Sequence, residues 1–266
     1  MISLKSITKY FNRGSINQVL SLDHIDLDVE PGDFIAIIGS NGAGKSTLLN
    51  CMAGSYLPDQ GRIMLNDMDI TQWPEYKRAR FIGRVFQDPL LGTCSALSIE
   101  QNLALAKKRG SRRGLAIGVK KGDRQLLREK LKVLGLGLED RLTDKVGLLS
   151  GGQRQALTMI MTTLVHPEIL LLDEHTAALD PKTANQILDL TAKIIHELNL
   201  TTLMVTHNMK QALLFGNRLI MLHLGRIIMD VKGKEKRDLN VQDLLSRFYE
   251  VQGEEFSSDK MLLTHP

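Results

Sequence analysis

Residues 33–54 read DFIAIIGSNGAGKSTLLNCMAG. The opening DFIAIIG is a short apolar run that suits a strand buried on both faces. From Lys45 onward the pattern turns helical, and Gly54 is placed to end the helix. Between them, Gly39-Ser40-Asn41-Gly42-Ala43-Gly44-Lys45-Ser46-Thr47 satisfies the G-x-x-x-x-G-K-[ST] pattern in full. Strand, glycine loop and helix in that order make a phosphate cradle. The glycines let backbone N–H groups turn inward, and the helix N-terminus adds partial positive charge. In this reading Lys45 reaches the β and γ phosphates of a nucleotide, Ser46 offers its hydroxyl to Mg²⁺, and Thr47 donates to the α phosphate.

Short apolar strands alternate with helical stretches on either side. Strand-like runs fall at 2–8, 18–29, 61–65, 82–86, 168–173, 201–207 and 218–223. From about 90 to 165 the texture becomes helical. There, Ser98 and Gln101 form a capping-box pattern before SIEQNLALAKK, and a Met- and Leu-rich helix over 153–165 stops before Pro167. Asp180 followed by Pro181 marks another helix start. The expected fold is α/β, a P-loop nucleotide-binding fold with a mostly parallel sheet, N-terminal antiparallel strands and an inserted helical lobe. The expected division is one domain over 1–250, with its core at 1–89 and 166–250, the lobe at about 90–165, and a polar tail at 251–266.

Two acids stand where ligands of such sheets bind. In EILLLDE, Asp173 and Glu174 lie just past a buried strand. Alternation along an extended backbone points them to different places, Asp173 towards Mg²⁺ and Glu174 towards an attacking water. Gln87 and His207 each close an apolar run, so both can face the same rim.

The composition excludes several classes. The chain has 266 residues, is 43% hydrophobic and carries a formal net charge of +4. So small a basic excess does not argue for a nucleic-acid partner. No stretch approaches the about 18–20 apolar residues of a membrane span, and the N-terminus lacks a signal-peptide core. The two cysteines, Cys51 and Cys94, form no zinc pattern. These features suit a cytosolic chain. Basic residues cluster at 107–124, from Lys107 to Arg124, with Asp123 as the one acid. That run reads as a solvated loop, or as a segment lying near anionic lipid.

A second glycine loop remains. LSGGQ (149–153) precedes a helix, so Ser150, Gly151 and Gly152 can make an anion site of their own. An ordinary Ser-capped helix start reads the same way. Taken with GSNGAGKST, VFQDP (85–89), ILLLDEHTAALD (169–180) and MVTHNM (204–209), it resembles the ATP-binding cassette (ABC) ATPases, in the family's order and over about 2–250. The resemblance implies ATP and Mg²⁺ as cofactors and a head-to-tail homodimer, in which Ser150, Gly151, Gly152 and Gln153 address the nucleotide held by the partner's P-loop. It further implies Glu174 as catalytic base, His207 on the γ phosphate, Gln87 sensing the metal, and Asp180 crossing the dimer interface. Tyr10 stands for the aromatic stacked on adenine, with Phe11 the next candidate; a packed core aromatic fits the same position. Two positions depart from the family's habit. His175 stands where Pro is common, and Ala177 where Ser, Gly or Asn is usual.

One cassette without a membrane span resembles the ATPase subunits of bacterial importers for small solutes, aromatic amino-acid systems among them. That implies separate transmembrane permease subunits, an extracytoplasmic solute-binding protein, and a place on the cytoplasmic face of the membrane. A soluble single-cassette ATPase, such as those of iron–sulfur assembly, is the alternative.

Overall fold

The computed structural model describes residues 1–111, 118–119 and 121–263, the last without the side chains of residues 121, 252 and 254–263. The elements in chain order are β1 (Ile2–Phe11), β2 (Val19–Val29), β3 (Phe34–Gly39), α1 (Lys45–Ala53), β4 (Gln60–Leu65), β5 (Met68–Asp69), α2 (Glu75–Arg78) and β6 (Ile82–Val85). The helical stretch follows with α3 (Ile99–Lys107), α4 (Lys121–Lys132) and α5 (Gly151–Thr163). Then come β7 (Ile169–Asp173), α6 (Pro181–Glu197), β8 (Thr202–Val205), α7 (Met209–Leu214), β9 (Arg218–His223), β10 (Arg226–Lys232), α8 (Lys234–Asp238) and α9 (Val241–Leu263).

Among the described residues the strands form two sheets. One runs β2-β1-β4-β5 and its pairs are antiparallel. The other runs β10-β9-β3-β8-β7-β6, and all its pairs are parallel except β9 with β10. The α/β class, the mostly parallel sheet, the antiparallel N-terminal strands and the helices interposed between β6 and β7 are thus as the sequence pattern predicts.

Parallel register is what assembles the site. Ile37 pairs with Val205, Asp173 with Val205, and Val85 with Leu172. The carboxyl ends of β3, β6, β7 and β8 therefore share one edge, and each strand delivers its following residues to that edge.

Helix α1 is pinned there by burial. Leu48, Leu49, Cys51 and Met52 are fully buried, and sequestering a Leu or Met side chain contributes about 1.5–3 kcal/mol. Gly54 ends α1 in the left-handed conformation (φ 84°), as its position predicts. The last carbonyls of α1 are met by Arg78, whose guanidinium donates to Cys51 O (2.7 Å), Met52 O (3.0 Å), Thr71 O (2.8 Å) and Trp73 O (2.9 Å). Burial pushes this arginine down to about 10, which leaves it charged at neutral pH.

Three expectations differ in detail. Helix α5 begins at Gly151, two residues before the expected start, because the Ser150 cap admits the glycines into its first turn. Helix α9 runs beyond residue 250, where a tail was expected. The basic run is not uniformly solvated. Arg109 is largely buried and donates to Thr162 O (2.8 Å) and Val165 O (2.9 Å), while Lys107 pairs with Asp123 and Arg124 with Glu100. Residues 112, 113 and 120 of that run lie outside the described residues. No helix among the described residues is long and apolar enough to cross a membrane.

Candidate functional site

The glycine loop after β3 is shaped by close backbone approaches. Gly44 has φ 96°, and a Cβ there would stand 2.4 Å from Ser21 O. At Gly39 a Cβ would meet Leu222 O at 2.2 Å. Only glycine fits either place, so the loop stays tight against β2 and β9; within it Ala43 N donates to Ser40 O at 3.2 Å. Gly42, with φ 81°, faces open space. Ala43 is buried, and Ser40 and Asn41 complete the turn.

Lys45 opens α1 with its side chain curled back into the loop. Its Nζ donates to Gly39 O and Ser40 O, both at 2.9 Å, and the residue is 6% exposed. Burial lowers its pKa, opposed by the charges of Glu174 and Asp173. A cation kept from water and facing two acids is a strong point charge for an anionic ligand. Thr47 Oγ1 accepts from Ser21 Oγ at 2.8 Å. Ser46 Oγ donates to Asp173 Oδ1 at 3.1 Å.

The Ser46–Asp173 pair offers a hydroxyl and a carboxylate, hard oxygen donors that suit Mg²⁺. Among the described residues no group of three or more His, Cys, Asp or Glu side chains could hold a metal by itself. The remaining ligands of such an ion therefore have to come from a nucleotide, water or Gln87. Gln87 is exposed two residues past the end of β6, on the shared edge.

Glu174 and His207 form the opposite wall. Glu174 Oε1 lies 3.0 Å from His207 Nδ1; the carboxylate is 16% exposed and the imidazole 56%. The separation of Glu174 from Asp173 does not come from strand alternation. Glu174 sits at φ 44°, in the left-handed region that costs a non-glycine residue about 1–3 kcal/mol. The turn swings its carboxylate out of the line of β7 towards the end of β8. His175 is 3% exposed, bonds Thr191 Oγ1 at 3.3 Å, and is pushed down to about 4 by burial, so it is neutral. It fills space beneath the rim.

The second glycine loop is built differently. Ser150 caps α5 by accepting from Gln153 N, while the Gln153 side chain accepts from Ser150 N, each at 3.2 Å. Gly151 and Gly152 face α6 and the turn before it. A Cβ on Gly152 would stand 2.3 Å from Thr183 Cγ2, and one on Gly151 3.2 Å from Leu179 Cδ2. Asp180 caps α6 by accepting from Thr183 N at 3.0 Å; hydrogen bonds from the Thr183 hydroxyl and then from its N–H lower the Asp180 pKa. The segment 173–180 therefore runs from the P-loop wall to the foot of the second loop.

The aromatic position is divided. The Tyr10 ring lies under the Arg13 guanidinium at 5.4 Å. Phe11 meets Tyr56 edge-on at 5.3 Å and Lys9 Nζ at 5.9 Å. Sequence reasoning passed over Arg84, which reaches Asp173 Oδ2 at 3.3 Å. A cation in a strand otherwise apolar (IGRV) was the one available signal.

Comparison with known proteins agrees with this geometry. The ABC transporter family profile matches residues 22–177. A tyrosine transport ATP-binding protein of Clostridioides difficile is 47% identical over 253 residues, 93% of this chain and 98% of that protein. A methionine import ATP-binding protein of Enterococcus faecalis is 36% identical over 87% of this chain, which spans 65% of that protein's length. Among solved structures, a dimeric ATP-binding cassette in a post-hydrolysis state with ADP and Pi superposes with a TM-score of 0.74 at 30% identity, covering 87% of this chain and 98% of that one. An ATP-binding cassette of an ABC transporter in its ADP conformation superposes with a TM-score of 0.76 at 25% identity, covering 94% and 98%.

Proposed function

The chain belongs to the ABC transporter family of ATPases, and from that premise we propose that it is the ATP-hydrolysing subunit of an importer whose cargo is a small solute of the amino-acid class. The observation that carries this reading is the match to the tyrosine transport protein, which extends over nearly the whole of both chains. That match also favours transport over a role in iron–sulfur assembly.

In this reading residues 1–250 form one cassette with a helical lobe at about 90–165. Gly39 to Thr47 hold the phosphates of ATP, with Tyr10 or Phe11 against the adenine. Ser46, Asp173 and Gln87 hold Mg²⁺, which when bound offsets the charge of the phosphates. Lys45 neutralises the phosphate oxygens. Glu174 orients and deprotonates the attacking water. His207, 3.0 Å from Glu174, faces the γ phosphate. Ser150, Gly151, Gly152 and Gln153 serve the nucleotide of a second copy, and Asp180 lies at that interface. The dimeric cassette structure supports this arrangement. Transmembrane permease subunits complete the system, together with an extracytoplasmic solute-binding protein, and keep this chain on the cytoplasmic face of the membrane.

The test is to reconstitute the chain with its permease subunits in vesicles and to measure ATP-dependent uptake of labelled tyrosine beside labelled methionine. Uptake of an amino acid coupled to ATP hydrolysis is the expected result. Hydrolysis that no amino acid stimulates, without uptake, contradicts the assigned cargo class.

A further inference from the structure

Arg84 occupies β6, three residues before Gln87, and its guanidinium joins three parts of the site. Nη1 donates to Asn50 Oδ1 on α1 at 2.7 Å, Nη2 reaches Asp173 Oδ2 at 3.3 Å, and Cζ lies 4.6 Å from the centre of the Phe86 ring. The side chains of Arg84 and Asp173 are each 13% exposed, so water screens the pair weakly. The arrangement leaves Arg84 Nε buried with no hydrogen-bond partner among the described residues, a cost that calls for a return elsewhere.

The return is at Asp173. Its two oxygens are divided: Oδ1 accepts from Ser46 Oγ, and Oδ2 faces Arg84. A carboxylate with one free oxygen rotates; one held at Oδ2 keeps Oδ1 turned towards the Ser46 hydroxyl. Arg84 is itself held by Asn50, one turn of α1 beyond Ser46, so the helix carrying the hydroxyl and the strand carrying the carboxylate are tied through one group. Phe86, under the guanidinium, directly precedes Gln87.

We propose that Arg84 is a positioning residue that sets the Asp173 carboxylate for the metal and, through Phe86, ties that setting to Gln87. This rests on the nucleotide-site reading above. A partner that orients a metal-binding carboxylate raises metal affinity. A bare cation beside a metal site would lower it by repulsion. The two effects have opposite signs, which makes the proposal decidable.

The experiment follows binding of a fluorescent ATP analogue to the full chain, by titration with MgCl₂ and in EDTA. Arg84→Met should raise the Mg²⁺ midpoint about 10-fold and leave the EDTA affinity unchanged. Arg84→Lys should fall between, since an ammonium can pair with Asp173 but does not reproduce the fork that spans Asp173 and Asn50. Three results overturn the proposal: an unchanged midpoint, a lowered midpoint, or equal weakening with and without Mg²⁺. Should Arg84→Met not fold, Asn50→Ala carries the test, with a raised midpoint expected and an unchanged one fatal. Failure of the unmodified chain to bind the analogue in a Mg²⁺-dependent way refutes the nucleotide-site reading itself.

Discussion

The two glycine loops of this chain look alike in sequence and are built on opposite principles. The loop at Gly39–Thr47 is closed: Gly44 and Gly39 lie against the backbone of Ser21 and Leu222, its lysine is buried, and Asp173 at the end of β7 and Glu174 just past it face it. The loop at Ser150–Gln153 is a capped helix start whose serine is exposed and whose glycines are spent on close packing against Leu179 and Thr183. One cradle brings its own cation, acids and hydroxyl. The other brings a helix N-terminus and a hydroxyl, and the cation next to it, Arg154, is turned back onto the carbonyls of Val146 and Gly147. In the proposed dimer, the second loop completes a phosphate site whose lysine and acids come from another chain.

The largest expected effect falls on Glu174. Glu174→Gln keeps the shape and removes the charge, so steady-state ATPase should fall about 10²–10³-fold while nucleotide binding persists. Retained turnover would remove Glu174 from the role of catalytic base.

Next is the segment joining the two loops, which His175 anchors. Its folded pKa, about 4, lies below the ordinary 6.5. Below pH 6.5 the unfolded chain therefore takes up a proton that the folded chain refuses. Stability should fall as pH drops from 6.5 to 4, by about 3 kcal/mol in all, and this contribution levels off below that. Urea midpoints across this range should show the slope, and His175→Gln should flatten it. An identical slope in the variant would assign the acid sensitivity to other groups.

The loops themselves should respond unequally. Gly44→Ala puts a Cβ against Ser21 O at a φ that L residues rarely adopt, so a stability loss of about 2 kcal/mol and loss of nucleotide binding are expected together. Ser150→Ala removes a helix cap, costs about 1 kcal/mol, and should leave nucleotide binding by a single chain intact. Calorimetric unfolding and nucleotide titration on both variants decide this. Equal loss of binding would erase the distinction between the loops.

Most of this site is local in the sequence, and that is why it is legible there. The P-loop, LSGGQ, and the acids and histidine at strand ends are each set by a few consecutive residues. Parallel pairing does the rest, because strand ends that carry polar residues must share an edge. What escapes is long-range or conformational. Arg78 caps α1 from a separate helix, and Arg84 bridges β6, α1 and β7; nothing adjacent to either residue signals its partners. The left-handed turn at Glu174 replaces the strand alternation that the sequence suggested. Strand β10 (RIIMDVK) went unassigned because it sits half-buried at the sheet edge and does not alternate cleanly. The choice between Tyr10 and Phe11 also stays beyond pattern, since irregular pairing of β1 with β2 breaks the face alternation there.

The measurement closest to the central claim mixes two disabled chains. Lys45→Ala damages the closed cradle and Ser150→Ala the open one, and each homodimer carries two damaged sites. In a mixed dimer the Lys45 variant's P-loop faces the Ser150 variant's loop, so both lesions fall in one site and the other site is intact. ATP-dependent dimerisation and partial ATPase activity should return on mixing, once subunit exchange has been verified. Mixtures that exchange subunits and regain neither signal, or full activity from a demonstrably monomeric chain, would contradict the sharing of ATP between two copies.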